Sequence, residues 1–243
     1  MAQAAQKQEK VPGEVDRIKS GVAGLDEIVN GGIPRGNLVV ISGDPGSGKT
    51  VLCWQFLHEG ITKYGENGVY VSLEETEQSI FEGASEFGWD LKKLINEKKL
   101  VIITVELYDF ERLKAAIEDN VKAVNAKRLV IDPGVIFRLF FERELDARKR
   151  IVSLGKMLKG LNVTTIITNE ISLDRESSLY GLEEYVADGV VLLYHTRLKN
   201  RFIRSIAVLK MRNTEIMETL KPLKIGSDGV RILAKAELFD EVN

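Results

Sequence analysis

The chain has a single cysteine, Cys53, in 243 residues, so no internal disulfide can staple it, and its place inside an apolar stretch reads as packing. This usage points to a reducing cytoplasm. Charge of one sign is also lacking: 34 Lys and Arg stand against 36 Asp and Glu, a formal net charge of -2. No global basic field therefore advertises a nucleic-acid partner. No apolar run approaches the length that crosses a bilayer, and Met1 to Glu9, rich in Gln, Ala and Lys, lacks the apolar centre of a secretory signal. A membrane partner is not expected. Repeats, low-complexity linkers and a second-domain boundary are absent too, which leaves one domain over 15–243 behind a flexible segment, 1–14.

What the chain does hold is concentrated in Gly43-Asp44-Pro45-Gly46-Ser47-Gly48-Lys49-Thr50, directly after the apolar run Leu38-Val39-Val40-Ile41. A strand, a glycine-rich turn and a helix beginning near Val51 make a phosphate-binding loop. Glycines let successive N–H groups converge on phosphate oxygens, Lys49 brings a cation to the β and γ oxygens, and the Thr50 hydroxyl can ligate Mg²⁺. The helix turns its positive end to the anion. With Gly at about 7% of average composition, the fixed positions arise by chance in about one chain per hundred of this length.

Downstream, strand runs at 68–73, 100–105, 128–132 and 163–168 alternate with helical periods at 76–88, 110–124 and within 143–160. That order predicts an α/β fold in three layers, a mostly parallel twisted sheet with helices on both faces. Its ligand belongs beyond the carboxyl ends of the strands. The runs 189–195 and 202–209 flank a polar turn at Lys199-Asn200 and predict an antiparallel hairpin extending the sheet, with two short strands around Ser227-Asp228-Gly229 after it.

A phosphate loop needs a carboxylate to organise its metal and a group to position water. Asp132 ends the apolar run Leu129-Val130-Ile131 and is expected to serve the metal from a neighbouring strand tip. Glu74 and Glu75 close what is read as the strand next to the first. Because alternate strand residues point oppositely, one of the two faces the γ-phosphate. Glu74 is assigned as the base that polarises water and Glu75 as its helper.

The entry Ser20-Gly21-Val22-Ala23-Gly24-Leu25-Asp26, the segment Gly31-Gly32-Ile33-Pro34-Arg35-Gly36, the phosphate loop, Glu74-Glu75-Thr76, Phe87-Gly88-Trp89-Asp90, the stretch from Gly181 to Gly189 and Lys210-Met211-Arg212 stand in a specific order. Together they resemble the KaiC branch of the RecA superfamily of ATPases over residues 15 to 234. The resemblance implies a RecA-like core, ATP with Mg²⁺, and a homo-oligomeric ring, a hexamer being the expected form, with nucleotide between neighbouring subunits. It places Asp44, Pro45, Gly46, Ser47, Gly48, Lys49, Thr50 and Val51 around the phosphates, and Glu74 and Glu75 at the hydrolytic water. It puts Phe87 in the region that contacts the base, and Lys210, Arg212 and Thr214 at the nucleotide of the next subunit. A cation arriving from a neighbour near a sheet edge can neutralise charge on the transferred phosphoryl group. Three positions depart from the family pattern: Asn213 replaces a glycine, Ile216 a histidine, and Pro133 the residue often Ser or Thr after the strand aspartate. Clock members carry two such domains and a phosphorylated C-terminal segment, so autokinase activity is not expected of this one-domain chain.

Residues 133–150 mix Phe137, Arg138, Phe140, Phe141, Arg143, Arg148, Lys149 and Arg150 with Glu142, Glu144 and Asp146. Aromatics among cations can stack bases and track phosphates, but an amphipathic helix with an intersubunit contact accounts for the same pattern. A second polar loop, 169–180, holds Asp174, Arg175 and Glu176, and a basic cluster of Arg197, Lys199, Arg201 and Arg204 surrounds the hairpin turn, where it guards a strand edge. The expected function is a slow, regulatory, Mg²⁺-dependent ATPase. The alternative is a recombinase-paralogue-like accessory protein that binds single-stranded DNA and uses ATP as a structural switch, and a regulatory protein partner is a third reading.

Overall fold

In the computed structural model, residues 15–104, 109–134, 143–170 and 186–238 are described. The chain begins β1 (Arg17–Ile18), α1 (Leu25–Ile28), β2 (Ile33–Pro34), β3 (Leu38–Gly43), α2 (Lys49–Tyr64) and β4 (Gly68–Ser72). It continues α3 (Glu77–Ser85), α4 (Leu91–Asn96), β5 (Leu100–Thr104), α5 (Phe110–Ala123), β6 (Arg128–Asp132), α6 (Glu144–Gly160) and β7 (Thr164–Glu170). It closes with β8 (Gly189–Leu198), β9 (Arg201–Met211), β10 (Lys221–Gly226) and β11 (Gly229–Ile232).

The unbroken apolar runs are read by two cores at once. Val39 and Ile41 of β3, Tyr70 of β4, Val130 of β6 and Val191 and Leu193 of β8 face one core. Their neighbours Leu38, Val40, Val69, Val71, Leu129, Ile131, Val190 and Leu192 face the other. Side chains alternate along a strand, so a strand apolar at every position must be covered on both sides. On one side lie α2, α3, α4 and the β10–β11 hairpin, through Leu52, Phe56, Ile80, Leu94 and Val230. On the other lie α5 and α6, through Leu113, Ile117, Ile151 and Leu158.

Among the described residues, the large sheet has nine strands in the order β11-β10-β9-β8-β3-β7-β6-β4-β5. From β8 to β5 the pairs are parallel; β8–β9, β9–β10 and β10–β11 are antiparallel. The predicted mixed architecture and its C-terminal hairpin are therefore present. The order corrects two expectations. β4 is not beside β3 but third from it, and β6, which carries Asp132, is separated from β3 by β7. The physical reason is that β6 and β7, formed later in the chain, pair into the space that the first crossover leaves open. The short elements α1, α4, β1 and β2 were not foreseen. β1 and β2 form a separate two-stranded sheet, and the helix expected over 76–88 ends early, because Gly88 turns left-handed at φ +73°. Asp90 then caps α4 by accepting from the Lys93 N–H at 2.9 Å.

Among the described residues, no helix is long and apolar enough to cross a membrane. Phe137, Arg138, Phe140, Phe141, Glu142, Asp174, Arg175, Glu176 and the segment 1–14 lie outside the described residues.

Candidate functional site

The loop between β3 and α2 is built to leave donors free. Thr76 caps α3, Asp90 caps α4 and Asp109 caps α5 with their side chains, whereas Gly48 precedes α2 with no side-chain cap, and no acid stands in the first turn. The first N–H groups of α2 thus stay available to an anion. Gly48 has φ +101°, a left-handed conformation that favours glycine, and a Cβ there would stand 2.7 Å from the terminal Cδ1 of Ile225 on β10. Ser47 is 1% exposed, and its Oγ is buried without a hydrogen-bond partner. An orphaned hydroxyl in a glycine cradle fits a phosphate oxygen.

Lys49 folds back across the loop and donates to the carbonyls of Gly43 at 2.8 Å and Asp44 at 3.2 Å. Burial lowers its ammonium pKa, while Glu170, Asp132 and Asp44 pull it upward. Thr50 and Val51 are half-buried on the first turn of α2. Asp44 and Pro45 form the outer edge of the loop, which the hairpin grips. The Asp44 N–H donates to the Leu193 carbonyl, and the His195 N–H donates to Asp44 Oδ2 at 2.9 Å. Arg204 Nε, from the strand opposite, donates to the Gly46 carbonyl at 2.9 Å.

Asp132 is 8% exposed at the end of β6, and each of its oxygens is held. The Tyr70 hydroxyl donates to Oδ2 at 2.9 Å, and the Thr168 hydroxyl of β7 donates to Oδ1. The carboxylate reaches the site across β7 rather than from an adjacent strand, and Thr168 supplies the bridge. Glu74 and Glu75 lie just beyond β4, in a turn closed by Ser72, whose hydroxyl accepts from the Glu75 N–H and donates to the Glu75 carbonyl. Both line a cleft of about 290 Å³ with Thr76 and Thr104. Burial, with Asp132 and Glu74 nearby, pushes the Glu75 carboxyl up. The field of Asp132 thus registers on Glu75. Cys53 is fully buried, its thiol pushed up by burial, as packing predicts.

Phe87 stacks on Trp89, ring centroids 4.8 Å apart, and Trp89 stacks on His58 of α2. Lys210 and Arg212 lie elsewhere. Gly189 pairs with both Val39 and Met211, while Leu193 pairs with Gly43. Arg212 is therefore level with the start of β3, about 17 Å along the strand from the loop at its other end. Neither cation can reach the loop of its own chain. β9 is third from the sheet's edge, but β10 pairs with it only over Arg204–Ile206, so its last residues run past β10 as a local edge. Thr214 accepts from Arg17 Nη1 at 2.8 Å at this same end. Asn213 has φ +57°, the left-handed conformation that Asn tolerates better than other side chains, which explains how it replaces glycine. Ile216 packs against the core.

Sequence reasoning missed Tyr70, Thr168, Glu170, His195 and Arg204. The polar end of an otherwise apolar strand, Thr168-Asn169-Glu170, was the available signal for the second and third.

A family model described as "ATPase: KaiC" matches residues 18–237. The chain is 37% identical over 239 residues to the circadian clock oscillator protein KaiC of Nostoc sp., covering 93% of this chain and 46% of that protein. It is 32% identical over 231 residues to a UPF0273 protein of Methanocaldococcus jannaschii, covering 88% and 95% of the two chains. The crystal structure of a KaiC-like protein from Pyrococcus horikoshii superposes with a TM-score of 0.81 at 36% identity, covering 90% of this chain and 99% of that one. The chain spans about half the length of the clock proteins it matches. With its phosphate loop, two-sided sheet and C-terminal hairpin, this chain belongs to the KaiC family of RecA-like P-loop ATPases.

Proposed function

We propose that the protein hydrolyses ATP with Mg²⁺ in a self-assembled ring, each site being completed by the neighbouring subunit, and that its role is regulatory. The observation that carries this reading is the division of cations. Lys49 sits at the carboxyl end of β3, whereas Arg212 lies level with the opposite end of that strand and Lys210, across from Val190, lies level with Val40 and two strands away, both too far from that loop to serve it. Fingers so placed can serve a phosphoryl group only across an interface.

Each residue then has a defined task. Lys49 exchanges two carbonyls for phosphate oxygens, the uncapped N–H groups of α2 and the Ser47 hydroxyl complete the cradle, and Thr50 with Asp132 would hold the metal. Bound Mg²⁺ would draw charge from the phosphoryl oxygens. Glu74 orients the water and Glu75 steadies it; Arg212 and Lys210 offset charge on the neighbour's nucleotide. Phe87 offers a ring to the base.

Calorimetry with Mg²⁺-ATP and single-turnover hydrolysis test the proposal together. Wild type should bind and turn over, Lys49→Ala should show no binding heat, and Glu74→Gln should bind normally while hydrolysis falls about 10²- to 10⁴-fold, the usual worth of a general base. A folded wild type that gives no heat with ATP would remove the reading. Salt-sensitive binding of single-stranded DNA without turnover would favour the accessory-protein alternative.

A further inference from the structure

The stretch Tyr185-Val186-Ala187-Asp188-Gly189 enters no step above, yet its acid is a buried carboxylate engaged on both oxygens at the far end of the sheet. Asp188 is 1% exposed. Its Oδ2 accepts the Leu38 N–H at 3.1 Å, and its Oδ1 accepts from both Lys159 Nζ at 2.8 Å and Arg212 Nη1 at 3.2 Å. The backbone repeats the tie: the Asp188 N–H donates to the Leu38 carbonyl at 2.7 Å, and the Arg212 N–H donates to the Asp188 carbonyl at 2.8 Å. Leu38 opens β3, the strand that ends in the phosphate loop.

We infer that Asp188 is a positioning residue that clamps Arg212 for the nucleotide of the adjoining subunit, an inference resting on the trans reading above. Lys159 alone neutralises a single carboxylate. Burying Asp188 therefore does not require Arg212, and the second cation on Oδ1 is surplus to charge balance. The Arg212 side chain stays 54% exposed, and among the described residues its Nε and Nη2 donate to no protein group. One edge of the guanidinium is anchored and the rest presented outward, the geometry for receiving an anion from another molecule. Lys210, two residues earlier, adds a further cation within the field of Arg212 and Asp188. Among the described residues, three cations thus gather around this one buried acid.

The test uses Asp188→Asn, which can still accept the Leu38 N–H but loses the charge that draws the guanidinium. Hydrolysis should fall about 10- to 100-fold, as for a misplaced catalytic group, with ATP affinity unchanged. Asp188→Asn combined with Arg212→Ala should be no slower than Arg212→Ala alone. Mixed with Lys49→Ala subunits, which carry an intact finger, the Asp188→Asn protein should regain turnover. Arg212→Ala mixed with Lys49→Ala serves as the parallel control. If the control regains turnover while Asp188→Asn hydrolyses like wild type, or the double variant is slower than Arg212→Ala, the clamp is overturned. If the control stays dead, the trans reading fails and the clamp falls with it. Should Asp188→Asn not fold, Asp188→Glu replaces it: slowed turnover at unchanged affinity supports the clamp, and wild-type turnover overturns it.

Discussion

Arg128 shows how a single charged side chain can be decided by its surroundings. Its side chain is wholly buried, bound to Glu66 Oε2 through Nε at 2.9 Å and Nη2 at 2.6 Å, with the carbonyls of Phe56 and Lys19 taking further donors. Arg128→Ala would leave Glu66 with Arg35 alone, at 3.0 Å from its Oε1, and leave those buried carbonyls short of a donor, so urea denaturation should show a loss of about 1–3 kcal/mol. Glu75 carries a prediction of the opposite sign. Its carboxyl is raised on folding, so the native state holds that proton more tightly; stability is favoured at low pH and penalised once pH rises through the raised pKa. In nucleotide-free protein, Glu75→Gln should therefore resist urea better than wild type at pH 7. The gap should close below about pH 4, the ordinary range of glutamate. A gap independent of pH would contradict the assigned cause.

At the scale of elements, one side chain of α2 supplies the hydrogen bonds that tie the β10–β11 hairpin to the helix. Gln55 accepts the Val230 N–H at 2.7 Å and donates to the Val230 carbonyl at 3.2 Å, and the same nitrogen reaches the Gly21 carbonyl at 3.2 Å. The hairpin also places Ile225 against Gly48, so the packing of the C-terminal strands touches the phosphate loop itself. Gln55→Ala leaves buried backbone groups unpaired, for which a loss of about 1–3 kcal/mol is expected. Amide exchange should locate the opening at Val230, and protection there equal to wild type would contradict the docking role. The strand and helix runs were legible because apolar residues at every position can be buried only between two layers. Helix α4 was not, because a Gly88 turn and an Asp90 cap are local events inside one helical-looking period.

At the scale of the whole molecule, the sheet holds apart the two groups of residues that the proposed reading joins across an interface. The carboxyl end carries Lys49, Asp132 and the two glutamates; the amino end carries Asp188, Lys159 and Arg212. A monomer holding both ends apart cannot unite them, so assembly should depend on nucleotide. Size measurement by light scattering should show a larger, closed species with Mg²⁺-ATP than without, and Arg212→Ala should weaken that shift. A species unchanged by nucleotide would argue against shared sites.

The sequence by itself determined the loop, the alternation of strand and helix, the two-sided burial of the sheet and the family, because these rest on spacing, glycine geometry and periodicity along the chain. Only the tertiary structure decided that β6 and β7 stand between β4 and the phosphate loop, that Thr168 braces Asp132 across that gap, that His195 and Arg204 grip the loop, and that Asp188 holds Arg212. These depend on pairing between segments far apart in the chain. Strand order follows from how crossovers share limited sheet edges, which no local pattern of residues encodes.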